Sequence, residues 1–258
     1  MTLFGAVFTI LAMTEKYLGS RSTIYAQELQ AAKDTFLGEY TIYNSSIENY
    51  SFALTVPGRE PPFERIARVK KGVVLDIGCS VQMLDTLQSL YADVHTVGIG
   101  VWLSEYEKAA AKSHQINLIE GSIFHPPETL QAYEGRCHVI VSKHTFTQFK
   151  DVNPFLALQY VWDLLSYHPD PSLTGAAYIH MGLPPLTDSF GKYRKFAELC
   201  STMTNGGFDI YSWEKQYQNS VVIMTKNTEK PLRFSVSQKL DEFYWNSNGN
   251  GSSVSDIS

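Results

Sequence analysis

Gly72-Val73-Val74-Leu75-Asp76-Ile77-Gly78-Cys79-Ser80 decides the fold. The first six residues form a short apolar run rich in β-branched side chains, the mark of a strand buried on both faces. The run is broken by one carboxylate, Asp76, and ends at Gly78, where a chain can turn tightly under a ligand. A helix is predicted immediately afterwards over 83–91, with Met83, Leu84, Leu87, Leu90 and Tyr91 on one face. A buried strand, a glycine turn and a helix in that order are the first half of a βαβ unit.

Working toward the C-terminus, the alternation repeats. Strands are predicted over 94–99, 116–120, 137–142 and 175–181, and helices over 103–112, 155–167 and 191–203. The last helix should end before Asn205-Gly206-Gly207, where glycine permits a left-handed cap. Strands and helices that alternate five times require parallel pairing through right-handed crossovers, hence a doubly wound α/β sheet. Two late strands, 208–213 and 220–225, have no helix between them and predict an antiparallel hairpin at one edge. The expected sheet is therefore mostly parallel and seven-stranded.

Toward the N-terminus, residues 22–40 carry a loose apolar helical face of Ile24, Leu29, Phe36 and Leu37. Residues 44–63 hold Pro57, Gly58, Pro61 and Pro62, and an irregular, aromatic-rich arm is expected there rather than a helix. Its part from Asn49 to Phe63 should lie across the carboxyl ends of the strands, near Asp76–Ser80, with Arg59 and Glu60 either paired or forming part of a lid. Arg65, Arg68, Lys70 and Lys71 read as a solvated helix face. Residues 3–13 are apolar except for Thr9. As a helix they would span about 16 Å, roughly half a bilayer core. They read either as a core-docking helix or as the remnant of an anchor or signal. Residues 246–258, NSNGNGSSVSDIS, offer almost nothing to bury and read as a disordered tail. The expected division is a helical extension over 1–44, an α/β domain over 45–226 and a C-terminal extension over 227–258.

Composition narrows the function classes. Of 258 residues, 44% are hydrophobic, and 21 basic against 26 acidic side chains leave a net charge of −5. That balance speaks against a strongly basic nucleic-acid binder. The cysteines Cys79, Cys137 and Cys200 stand far apart, which fits a reduced compartment and a cytoplasmic protein, with membrane association through 3–13 as the alternative. Seven histidines show no metal-binding spacing, so no metal is expected. A Walker loop, a G-x-S-x-G elbow and a G-x-G-x-x-G fingerprint are all missing, which argues against triphosphatase, hydrolase and dehydrogenase chemistry.

The order of elements and the string VLDIGCS resemble class I S-adenosylmethionine-dependent methyltransferases, with their Rossmann-like fold. Within that superfamily, Asn49 to Phe52 with Val56-Pro57-Gly58-Arg59-Glu60-Pro61-Pro62-Phe63-Glu64-Arg65-Ile66 is similar to a methyltransferase-like family of unknown function. Gly182-Leu183-Pro184 and the segment from Tyr193 to Gly207-Phe208 fit the same resemblance. It implies that Asp76, Gly78 and Ser80 hold the methionine end of S-adenosylmethionine, and that Gly100 and Ser122 stand where the ribose and adenine contacts are usually made. Lys143 and His144 end the fourth strand, where such enzymes face their substrate, and His144 is the weak candidate for a proton acceptor.

Three departures accompany the match. Ser80 and Gln82 replace the second and third glycines of D-x-G-x-G-x-G, Gly100 replaces the ribose-binding acid, and Ser122 replaces the acid near the adenine. Asp76 has a structural reading too, as a cap for the following helix, and Cys79 reads as a small buried apolar residue. Two functions follow. One is a methyltransferase-like protein with degenerate cofactor motifs, acting on an unknown small molecule or protein. The other is a catalytically inactive methyltransferase-fold module that binds or scaffolds a partner.

Overall fold

The computed structural model describes residues 45–69, 71–101, 103–143, 145, 154–180, 208–213 and 219–230. At its centre β1 (Gly72–Ile77) pairs in parallel with β2 (Val94–Gly100) on one side and β4 (Cys137–Ser142) on the other. Outside β2 lies β3 (Asn117–Glu120), and outside β4 lies β5 (Ala176–His180), both parallel. β7 (Asn219–Thr225) pairs antiparallel with β5, and β6 (Phe208–Trp213) pairs antiparallel with β7. The order across the sheet is β3-β2-β1-β4-β5-β7-β6, with β7 alone reversed. The order turns back beside β1, since β1 leads to β2 and β3 on one side and to β4 and β5 on the other. This is the mostly parallel, doubly wound Rossmann-like architecture that the sequence predicts.

The helices cover both faces. α1 (Ile47–Leu54), α2 (Pro62–Val69), α3 (Val81–Leu90) and α4 (Glu105–Ser113) contribute to one buried layer with Val74, Val139, Val141 and Tyr178. α6 (Pro154–Leu164) packs its Leu158, Val161 and Trp162 against Val73, Leu75 and Ile77 on the other face. The short α5 (Glu128–Gln131), which the sequence reading does not include, adds Leu130 to that layer. Side chains alternate between the faces of a strand. Val74 and Asp76 therefore share the face covered by α1 to α3, which sends the Asp76 carboxylate inward.

Two expectations are corrected. Residues 47–54 are helical rather than part of an irregular arm, and α2 begins at Pro62, next to the end of that arm, so the helical reading of Arg65 and Arg68 holds. α1 lies wholly before Pro57, is N-capped by Ser46 and stops at Thr55, so the prolines never enter it. Pro62 is the first residue of α2, where its missing N–H and fixed φ cost nothing. The basic stretch is not a solvated face throughout, for Arg65 is buried. Its Nη1 donates to the Thr174 carbonyl at 2.8 Å, and its Nε lies 3.3 Å from Glu60 Oε2. Glu60 also pairs with Arg68 at 2.8 Å. Glu60 thus ties the loop before α2 to that helix, and Arg65 ties the helix to the segment leading into β5.

Arg65→Met keeps the apolar stem and removes the buried donor. It is expected to lower the free energy of unfolding by about 2 kcal/mol, read as a lower urea midpoint at unchanged slope.

The predicted helices over 22–40 and 191–203, the apolar run 3–13, the tail 246–258 and the segment at Gly182-Leu183-Pro184 lie outside the described residues. Among the described residues no helix is long and apolar enough to cross a membrane.

Candidate functional site

The carboxyl ends of β1 to β5 form one rim of the sheet. At the end of β1 the chain turns through Gly78, whose φ is +98°, and Cys79, whose φ is +30°. The turn is fastened to both neighbouring strands. The Gly78 N–H donates to the Ile99 carbonyl at 2.8 Å. The Ile77 carbonyl accepts from Ser142 Oγ at 3.0 Å and from Thr145 Oγ1 at 2.8 Å. A Cβ at position 78 would lie 1.8 Å from Thr145 Oγ1. Only glycine fits there, on conformation and on space alike.

Cys79 is buried, which pushes its thiol well above its ordinary pKa. It behaves as the small apolar residue its sequence context predicts. Its counterpart is Gly98 in β2, where a Cβ would approach Cys79 Sγ to 2.4 Å. The turn therefore needs glycine at two positions far apart in the chain.

Asp76 is completely buried. Its Oδ2 accepts from the Ser80 N–H at 2.7 Å, and the Tyr50 hydroxyl stands 3.0 Å from Oδ1 and 2.8 Å from Oδ2. Burial raises its pKa to about 7, opposed by the Ser80 N–H, the Tyr50 hydroxyl and the Lys143 charge. Burial also lifts the Tyr50 phenol well above its usual range, and the Asp76 carboxylate adds to that.

Ser80 is the N-cap of α3, where its Oγ accepts from the Met83 N–H. The same hydroxyl donates to the Ser45 carbonyl at 2.9 Å. Gln82, in the first turn of that helix, is exposed. Lys143, at the end of β4, donates to Ser45 Oγ at 2.8 Å, and its Nζ stands 5.7 Å from the centre of the Tyr50 ring. Burial lowers the Lys143 pKa, opposed by the Asp76 charge.

Asp76, Gly78 and Ser80 thus share one turn. Gly100 and Ser122 lie along the same rim, at the end of β2 and just beyond β3. Gly100 pairs with Glu120 across β2 and β3, and its carbonyl accepts from the Gly121 N–H at 2.8 Å. Ser122 is buried, and its Oγ accepts from the Phe124 N–H at 3.0 Å within a local turn. Glu120 is half-exposed and paired with Lys108 at 3.1 Å, as is Glu105. His144 lies outside the described residues. Glu60 pairs with Arg65 and Arg68.

Tyr50, Ser45 and Thr145 complete the site, and spacing in the sequence does not single them out. Their contacts with the turn span 26, 35 and 68 residues. A tyrosine in an N-capped helix before a D-x-G strand is the one available signal.

The donor set suits the amino-acid end of S-adenosylmethionine. The buried carboxylate of Asp76 and the ammonium of Lys143 match an ammonium and a carboxylate, and the turn leads into the N-terminus of α3. It does not suit a carboxylate-held ribose, because Gly100 has no side chain.

No protein-family model matches the chain, and no curated protein matches it. Solved structures do. One is a Burkholderia thailandensis 1,6-didemethyltoxoflavin-N1-methyltransferase with bound S-adenosylhomocysteine, at 13% identity and TM-score 0.49, covering 79% of this chain and 90% of that one. A TehB-like SAM-dependent methyltransferase from Corynebacterium glutamicum is similar at 15% identity and TM-score 0.41, covering 78% and 97%. A 16S rRNA adenine N1-methyltransferase variant from Catenulisporales acidiphilia is similar at 11% identity and TM-score 0.43, covering 66% and 95%. Likenesses of this size carry no inference about substrate or reaction.

Proposed function

We propose that the chain is a methyltransferase-like protein that holds S-adenosylmethionine weakly at the end of β1. One observation carries the reading: a carboxylate, a glycine turn and a helix N-terminus stand together at the end of the central strand, where the strand order turns back. The contacts assigned to the cofactor are Asp76 and Lys143 for its amino-acid end, with Gly78 and Ser80 forming the turn beneath it. Gly100 and Ser122 would border the nucleoside without charging it. The division into a 1–44 extension, a 45–226 domain and a 227–258 extension belongs to the same proposal.

The cofactor, when bound, supplies an electrophilic methyl group on sulfur. The chain's part is to align that methyl with an acceptor lone pair, since position alone lowers much of the barrier. A bound cofactor would give that methyl to the acceptor and leave as the neutral thioether, while the acceptor's proton would pass to a nearby base. His144, just beyond β4, is the weak candidate for that base. A methyl acceptor follows from the reading, with a small molecule or protein as its class. The acidic net charge is the argument against nucleic acid, and the comparisons do not add to it. The inactive binding module is the second reading, favoured by the missing carboxylate at Gly100.

Calorimetric titration with S-adenosylhomocysteine tests the proposal. Wild-type binding is expected to be weak. Asp76→Ala should weaken it by at least about tenfold, and Gly100→Asp should strengthen it by about one to two decades, the value of a charge-assisted hydrogen bond. Tight wild-type binding that ignores Asp76→Ala would place the ligand elsewhere. No binding even in Gly100→Asp would favour the inactive module.

A further inference from the structure

The two charged groups assigned to the ligand already have partners, and those partners come from one short segment. Tyr50 spans both oxygens of Asp76, Ser45 Oγ accepts from Lys143, and the Ser45 carbonyl accepts from Ser80. Residues 45–50 therefore engage the carboxylate, the ammonium and the helix cap of the turn at once. We propose that this segment is an internal occupant of the site: Tyr50 and Ser45 hold Asp76 and Lys143 until the ammonium and carboxylate of an α-amino acid head group displace them. The inference rests on the reading of the site as one for S-adenosylmethionine, and it identifies Lys143 as the residue that takes the ligand's carboxylate.

The chemistry favours such an exchange. A phenol and an alcohol are neutral partners for two full charges, whereas an ammonium on Asp76 and a carboxylate on Lys143 would be doubly charge-assisted. The Asp76 carboxyl pKa of about 7 fits a carboxylate that is buried against a neutral hydroxyl. The occupant is also removable. α1 has eight residues, too few to be stable without the surface it packs on. Its apolar hold is the buried Tyr50, Ala53 and Leu54 with the partly buried Ile47, and its outer face carries the exposed Phe52. The turn itself is clamped by Ser142 and Thr145 and need not move when α1 leaves.

The test uses the full chain with S-adenosylhomocysteine as the probe. Affinity is measured for the wild type, Tyr50→Phe, Ser45→Ala and Lys143→Met, and amide hydrogen exchange is followed over residues 45–54. Tyr50→Phe keeps the ring in the core and removes the hydroxyl from Asp76. It should bind about tenfold more tightly than the wild type, and Ser45→Ala about threefold. Lys143→Met should weaken binding about tenfold. Saturating probe should speed exchange over 45–54 in the wild type, a readout that needs no substitution. Binding that leaves 45–54 protected, with Tyr50→Phe no tighter than the wild type, would overturn the inference and leave the cofactor reading standing. No binding to the wild type, Tyr50→Phe or Ser45→Ala would overturn both.

Discussion

Changing Asp76 to asparagine is expected to remove a large part of the protein's pH dependence. The Asp76 pKa lies at about 7 in the folded chain, chiefly because the carboxyl is buried. An unfolded chain returns it to about 3.9. The raised value means that the folded state keeps its proton longer. This contribution to stability is fully present below about pH 4, where both states are protonated. It falls as pH rises toward 7, because only the unfolded state is releasing a proton, and it is gone above the folded value. The span corresponds to about 4 kcal/mol. An asparagine side chain has no proton to lose and could still meet Ser80 and Tyr50. The difference in unfolding free energy between wild type and Asp76→Asn should therefore drift by about that amount between roughly pH 4 and 7. Parallel curves from urea titrations across that range would show that the folded carboxyl titrates normally.

Gly78→Ala is the second large effect. Its φ of +98° lies in a region that L-residues rarely adopt, and its new Cβ would sit 1.8 Å from Thr145 Oγ1. Strain and overpacking together should cost about 3 kcal/mol or more. Thr145→Ala opens the space without relieving the backbone. The double variant Gly78→Ala with Thr145→Ala should therefore recover part of the loss but not all of it. Thermal unfolding of the four proteins in a cycle separates the two contributions.

Much of the sheet is legible in the sequence, and the reason is local. Gly72–Ile77 and Cys137–Ser142 are apolar runs with β-branched residues, which few structures other than a buried strand can use. The antiparallel pairing of β6 with β7 follows from two strands with no helix between them. The expectation fails at residues 47–54, where nearby prolines and aromatics suggest an irregular arm. Ser46 before Ile47 is an N-cap signal, and Pro62 suits a helix start, so both helices have local signs that outrank proximity to proline.

The site divides in the same way. Asp76, Gly78 and Ser80 stand together within five residues, and their pattern can be read as a turn without any knowledge of the rest. The state of Asp76 cannot, because it is set first by burial and then, in opposition, by the Ser80 N–H, by Tyr50 from 26 residues away and by Lys143 just beyond β4. Spacing leaves two readings for Asp76, a ligand contact or a helix cap. The structure shows the Ser80 N–H on its carboxylate and Ser80 itself capping α3. The N-cap is thus Ser80, and the Asp76 carboxylate holds the backbone N–H of that residue, a contact that spacing does not separate from a ligand contact.

The central claim is that S-adenosylmethionine is held at the end of β1. Ultraviolet irradiation of the chain with methyl-labelled S-adenosylmethionine, followed by digestion and mapping of the label, tests it directly. Label is expected on peptides covering residues 72–82 or 143–145, reduced in Asp76→Ala. Label no greater than in heat-denatured protein, or confined to peptides elsewhere in the chain, would contradict it.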